Sequence, residues 1–218
     1  MSLIVYTAIT ADYDVLSDPP EETRAGAKFI AFMETPSASQ CWEIRPLELN
    51  HNDPKRRSIF YKMLPHRVFP DAQFSLWIDG SVDLIMPFSV TNLLDYLRDA
   101  DLATFEHSSR YCIYQEAVEC IRRRHDDPRR IYQQVRRYTQ LGYPANMGLV
   151  EGGILLRRHS RQIEEFNEAW WEEFQSGSNR DQLSFNYVAH KLGLKFNVFP
   201  NSIRNNSLVR VRMHGNAE

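Results

Sequence analysis

Gln73-Phe74-Ser75-Leu76-Trp77-Ile78-Asp79-Gly80-Ser81 is the stretch on which the fold turns. Phe74, Leu76 and Ile78 alternate with Ser75, Trp77 and Asp79, the period of two that marks a strand. The strand stops on a carboxylate followed at once by glycine and a hydroxyl. In open α/β sheets the carboxyl edge is where the connecting loops gather ligands, and an Asp beside a small oxygen-bearing residue suits a hard divalent cation carrying a diphosphate. A second reading stays open: Asp-Gly is also the commonest two-residue hairpin turn, with residues 82–86 as the return strand.

Outward from this strand, apolar runs at residues 3–9 and 28–33 read as strands separated by a polar loop containing Pro19-Pro20. A third short strand is expected at 41–45. Asp53-Pro54 opens a helix with a capping Asp and a first-turn Pro. After the strand ending at Asp79 come a helix at 90–98, a strand at 102–105, and basic helices at 114–124 and 128–141. A strand at 153–156 follows. Next, Ile163, Phe166, Trp170 and Phe174 share one helical face while Glu164, Glu165, Glu168 and Glu172 hold the other. A last helix is expected over 178–192 and a strand over 195–199. Strands and helices alternating in this way predict a three-layer α/β domain with a largely parallel central sheet.

The chain has 218 residues, 43% of them apolar, which is enough for one sizeable core and short for two, so a single domain over 1–218 is expected. A formal charge of -2, from 26 basic and 28 acidic side chains, gives no global attraction to nucleic acid or to an anionic membrane. The start lacks a basic leader and becomes polar by Thr7, so it reads as a first strand and not as a signal peptide, and no apolar run reaches the length of a membrane span. Cys41, Cys112 and Cys120 are odd in number and lack CxxC spacing, which argues against a disulfide framework and a zinc site and favours a reducing cytoplasm.

Several blocks together resemble a known family: residues 28–32, the run 57–62 continuing to 65–70, Ser75 to Gly80, Gly148 to Gly153 with Arg157 and His159, and Arg180 to Phe185. They are similar, in order, to the glycosyltransferase-like family named after plant turgor-regulation and mucilage proteins, whose bacterial members were long catalogued as a domain of unknown function. That family is similar in turn to GT-A fold, glycogenin-like transferases. The resemblance therefore implies a GT-A-like domain that moves a sugar from a nucleotide-sugar donor, a UDP-sugar by preference, to a hydroxyl of a glycan or lipid-linked acceptor.

The same resemblance implies roles for particular positions. Asp79-Gly80-Ser81 takes the place of the Asp-x-Asp motif, in which carboxylates hold Mn²⁺ or Mg²⁺ against the departing diphosphate. Here Ser81 offers only a hydroxyl, and Asp83 would share the face of Asp79 if the strand ran straight on. His214, followed by Gly215, resembles a further metal ligand. Glu151 falls where a base for the acceptor hydroxyl is expected; it also reads as an ordinary carboxylate in a glycine turn. Asp181-Gln182 matches a pair that reaches the donor sugar, while Asp181 would equally cap a helix and Arg180 adds a cation beside it. Thr7, Ala8 and Ile9 would line the nucleotide pocket and Glu34 would contact base or ribose. Arg57 and Lys62, about 140° apart around their helix, are candidates for the diphosphate.

His66, His107 and His159 read as structural. The cluster Arg122, Arg123, Arg124, Arg129, Arg130, Arg136 and Arg137 reads as a solvated helix face or as a surface for an anionic glycan or lipid headgroup. The function expected is metal-assisted glycosyl transfer in polysaccharide or glycoconjugate biosynthesis. A non-catalytic nucleotide-sugar or glycan-binding module and a metal-dependent hydrolase are the alternatives.

Overall fold

Strand β4 (Phe74–Ile78) is buried along its whole length because it lies at the centre of a seven-stranded sheet. The computed structural model describes residues 3–11, 13–47, 53–85 and 89–212. β4 runs parallel to β1 (Leu3–Ile9), with Leu76 opposite Val5, and antiparallel to β7 (Val150–Arg158), with Leu76 opposite Leu156. Beyond β1 lie β2 (Ala27–Met33) and β3 (Glu43–Pro46), both parallel to it; beyond β7 lie antiparallel β6 (Leu102–Glu106) and then β8 (Asn197–Val198). Among the described strands of this sheet only β7 runs against its neighbours, so the largely parallel three-layer expectation holds.

The alternation of β4 divides the core between the two faces of the sheet. Phe74, Leu76 and Ile78 join Leu3, Val5, Phe29 and Ala31 on one face. Trp77 joins Tyr6, Ile30 and Phe32 on the other, under α1 (Pro54–Met63), α6 (Arg161–Ser176) and α7 (Gln182–Leu192). The glutamate-rich helix is α6: Ile163, Phe166, Trp170 and Phe174 are buried as its periodicity requires, and Glu168 on its outer side pairs with His66 and Arg67 of α2 (Pro65–Val68). The other helices are α3 (Val90–Leu94), α4 (Ile113–Arg122) and α5 (Pro128–Gln140).

Three boundaries differ from expectation for physical reasons. The 90–98 helix is a single turn and a half, its continuation being hydrogen-bonded turns. The last helix begins at Gln182, because the Ser178 and Asn179 N–H groups donate to the side chains of Gln134 and Asp126 instead of opening a helix. Finally, Asp79 does begin a turn, closed by Val82 N–H donating to the Asp79 carbonyl at 2.9 Å, but the turn makes no hairpin. Its exit, β5 (Val82–Leu84), leaves the main sheet and pairs antiparallel with β9 (Val209–Val211).

Candidate active site

Asp79 stands at the carboxyl end of β4, and the period of two puts its side chain on the Trp77 face, the face that α1 covers. The Trp77 indole N–H donates to Asp79 Oδ1 at 2.6 Å, and the Asp79 N–H continues the ladder to the Gly153 carbonyl at 2.8 Å. From α1 the Lys62 ammonium reaches the same Oδ1 at 3.3 Å and Asp181 Oδ2 at 2.6 Å. Lys62 is 3% exposed and thus joins two carboxylates that lie far apart in the sequence. Burial alone would lower the Lys62 pKa; the two carboxylates outweigh it and raise it, so the ammonium stays charged.

Asp181 occupies the N-cap position of α7, but its side chain makes no capping hydrogen bond. The carboxylate is committed to Lys62 instead, which corrects the capping expectation. Burial pushes the Asp181 carboxyl up, and the cations around it, Lys62 above all with Lys55 and Arg180, overcome this and hold it at about 2. A folded pKa of about 2 against an ordinary 3.8 contributes about 2 kcal/mol of stability that is present above pH 4 and lost as pH falls through 2. In urea unfolding, the stability gap between the parent and Asp181→Asn is therefore expected to narrow between pH 4 and pH 2. A gap constant over that range would show that the carboxylate gains nothing on folding.

These groups lie on a cavity of about 640 Å³ at the carboxyl edge of the sheet. Its lining includes Ala8, Ile9, Lys62, Asp79, Ser81, Glu151, Arg180, Asp181 and Gln182 of the residues expected from sequence. Gln182 is held at both ends, accepting from Arg180 Nη2 at 2.9 Å and donating to the Val150 carbonyl at 3.0 Å. Glu151 is the second residue of β7, not part of a turn; its Oε1 pairs with Arg204 at 3.1 Å and its Oε2 is buried without a hydrogen-bond partner among the described residues. The room left by the two glycines after it is taken by the protein: a Cβ on Gly152 would lie 3.5 Å from Lys62 Nζ, and one on Gly153 would meet Ile203 at 2.7 Å.

Other expected residues are elsewhere. Thr7 is buried beneath the cavity lining, one step down β1 from Ala8. Glu34 accepts the Ala11 N–H at 2.9 Å and pairs with Arg57; Ala11 lines the cavity, but neither Glu34 nor Arg57 does. Asp83 follows β5 out of the main sheet and pairs with Arg212 at 3.0 Å and Arg210 at 3.5 Å. His214 lies outside the described residues. Lys55 and Arg204 also line the cavity, and sequence reasoning missed both. A signal for Lys55 existed: seven residues before Lys62 it falls within about 20° of the same helix face, whereas Arg57 does not. Arg204 sits in the irregular segment before β9 and left none.

The described residues do not fit a divalent metal. No three of their His, Cys, Asp or Glu side chains gather in a ligand set, and Asp83 is spent on arginines. The shared position between Asp79 and Asp181 is filled by the Lys62 ammonium.

The chain has relatives among known proteins. In Arabidopsis thaliana, the protein called probable hexosyltransferase MUCI70 is 30% identical over 158 residues, 68% of this chain and 27% of its own length. From the same organism, the one called alkaline ceramidase TOD1 is 24% identical over 202 residues, 85% of this chain and 40% of its own. The chain thus spans well under half of either relative. Among solved structures, a glycosyltransferase involved in glycosylation of the major capsid of PBCV-1 aligns over 91% of this chain and 82% of its own at 12% identity, TM-score 0.49. Mouse xyloside xylosyltransferase 1 aligns over 91% and 85% at 12% identity, TM-score 0.46. The profile of the TOD1/MUCI70, glycosyltransferase-like domain family matches residues 37–214, and the chain belongs to that family.

Proposed function

We propose that this chain is a single glycosyltransferase domain that moves a sugar from a nucleotide-sugar donor, a UDP-sugar by preference, to a hydroxyl of a glycan or lipid-linked acceptor. The observation that carries the reading is the buried Lys62 joining Asp79 to Asp181 at the wall of a cavity built on the carboxyl ends of β1 and β4. Family membership and the relative named as a probable hexosyltransferase support it. In this reading Ala8 and Ile9 face the nucleoside, Asp181 faces the donor sugar, and Arg180 fixes Gln182 beside it. Glu151 takes the acceptor's proton. The metal expectation would fall to Asp79 and Ser81 among the described residues, and no step here depends on it. Three free cysteines suit a reducing compartment, and no described helix is long and apolar enough to cross a membrane.

The relative named as a ceramidase makes hydrolysis the reading to test against. The protein is incubated with a panel of nucleotide sugars and hydroxyl acceptors, and products are read by mass spectrometry. An acceptor heavier by one sugar residue, with release of the nucleoside diphosphate, is the expected result. Free sugar with no adduct would make it a hydrolase, and binding without turnover a recognition module.

The arginine cluster bears on the acceptor. Arg122 and Arg123 both pair with Glu119, and Arg137 with the largely buried Glu173, so these three are neutralised locally. Arg129, Arg130 and Arg136 lie along α5, all three exposed. If the acceptor is anionic, reversing these three to Glu raises its Michaelis constant at low salt and leaves donor binding alone. The effect should shrink at physiological salt, where charges are screened over about 8 Å. An unchanged constant at low salt assigns the arginines to an ordinary solvated face.

A further inference from the structure

The cavity wall carries five carboxylates, Asp14, Asp53, Asp79, Glu151 and Asp181, and four cations, Lys55, Lys62, Arg180 and Arg204, and the charges are not evenly paired. Lys62 is spent on Asp79 and Asp181, but no carboxylate of the described residues forms an ion pair with the Lys55 ammonium. Arg180 gives one nitrogen to Gln182 at 2.9 Å and stands 3.9 Å from Glu116; its Nε is buried with no hydrogen-bond partner among the described residues. Both side chains line the cavity. Burial, and then the charge of Arg180, lower the Lys55 pKa, the effect of two cations held near each other. Burial alone would lower the Arg180 pKa; Asp181 and Glu116 outweigh it and raise it, so the guanidinium stays charged. With Lys55 outside any ion pair of the described residues and Arg180 Nε without a hydrogen-bond partner among them, the two cations are poised for a polyanion, because a charge-assisted bond regains what their desolvation costs.

We propose that Lys55 and Arg180 receive the donor's diphosphate directly, with no divalent metal between, while Lys62 permanently occupies the position where a shared cation would bridge Asp79 and Asp181. The proposal rests on the transferase reading. A metal entering between those two carboxylates must displace a buried ammonium bonded to Asp181 at 2.6 Å. In the transfer step, the bond from the anomeric carbon to the terminal phosphate oxygen breaks and its electron pair leaves with the diphosphate. The new charge falls on oxygens held by Lys55 and Arg180. A bond forms from the acceptor oxygen to the anomeric carbon, and the acceptor's proton goes to Glu151.

Calorimetry with inorganic pyrophosphate, and separately with uridine diphosphate, tests this without requiring activity. Each probe is titrated in excess chelator and then with Mn²⁺, into the parent protein and into Lys55→Met, Lys55→Arg and Arg180→Met. The expected result is pyrophosphate binding in chelator, weakened about tenfold or more by either Met substitution and largely restored by Lys55→Arg. Equal melting temperatures establish that the Lys55 variants fold. Pyrophosphate binding that appears only with Mn²⁺, or that ignores both Met substitutions, overturns the proposal. Pyrophosphate binding of the expected kind with no gain from the nucleoside keeps the cation site and removes the nucleotide-sugar reading, so the two fail separately.

Discussion

Lys62→Met is expected to lower stability at pH 7 by about 3–5 kcal/mol, the usual consequence of removing one partner from a buried ion pair. Met nearly matches the length of the lysine stem, so the loss is electrostatic and not a cavity effect. It leaves Asp181, 7% exposed and ionised in the parent well below neutrality, with no ammonium at 2.6 Å. Asp79 contributes less, because its carboxylate is 40% exposed and water screens its 3.3 Å contact. Two further measurements separate this cause from general misfolding. The double variant Lys62→Met/Asp181→Asn should recover part of the loss, since taking away both charges leaves none buried and unpaired. The single variant should also be less impaired near pH 4, where the orphaned carboxyl can take up a proton. A loss under about 1 kcal/mol by urea unfolding at pH 7 would mean that the pair is effectively solvated.

How far the sequence carried the site depended on whether its logic was local. The alternation in β4 was local, and it put Asp79 on the Trp77 face at a strand's carboxyl end, where it is. Helix periodicity was equally local: Lys55 and Lys62 share a face seven residues apart, yet Arg57 drew attention because it belongs to a resemblance block. Asp181 shows the limit from the other side. Its position before a helix reads as a cap, and the backbone does turn there, but the side chain answers a lysine 119 residues away. No spacing rule reports that. The same holds for Asp83, whose direction was set by the pairing of β5 with β9 from the far end of the chain. Glu151 lay between, since the stretch from Gly148 to Gly152 reads as a turn ahead of a strand that starts at Gly153. The structure instead starts β7 at Val150 and carries it through Glu151 and Gly152, with a register shift between Thr104 and Phe105 on the paired strand. What the sequence conveyed well was the class of each element; what it conveyed poorly was which long side chain would cross from one element to another.

Glu151→Gln separates catalysis from structure at the remaining carboxylate. Gln keeps the shape and an oxygen for Arg204, so the contact at 3.1 Å survives as a hydrogen bond from the guanidinium to a neutral amide oxygen and folding should change little. What disappears is the basic site at Oε2, which is buried in the cavity wall without a partner among the described residues. If Glu151 takes the acceptor's proton, turnover should fall by about a hundredfold to ten-thousandfold with the donor's dissociation constant unchanged. Arg204→Gln is the matching control. That arginine is 62% exposed, and losing it should free Glu151 without removing the base, so turnover should change far less. Hydrolysis of donor in the absence of acceptor adds a further readout, because a base that serves the acceptor hydroxyl equally serves water placed there. Wild-type turnover in Glu151→Gln would return the glutamate to an ion-pairing role with Arg204, and the proton would then have to leave with solvent. Asp181 could not replace Glu151 as the base, because Lys62 and its neighbours hold its carboxyl at about 2, too weak to accept a hydroxyl proton near neutral pH.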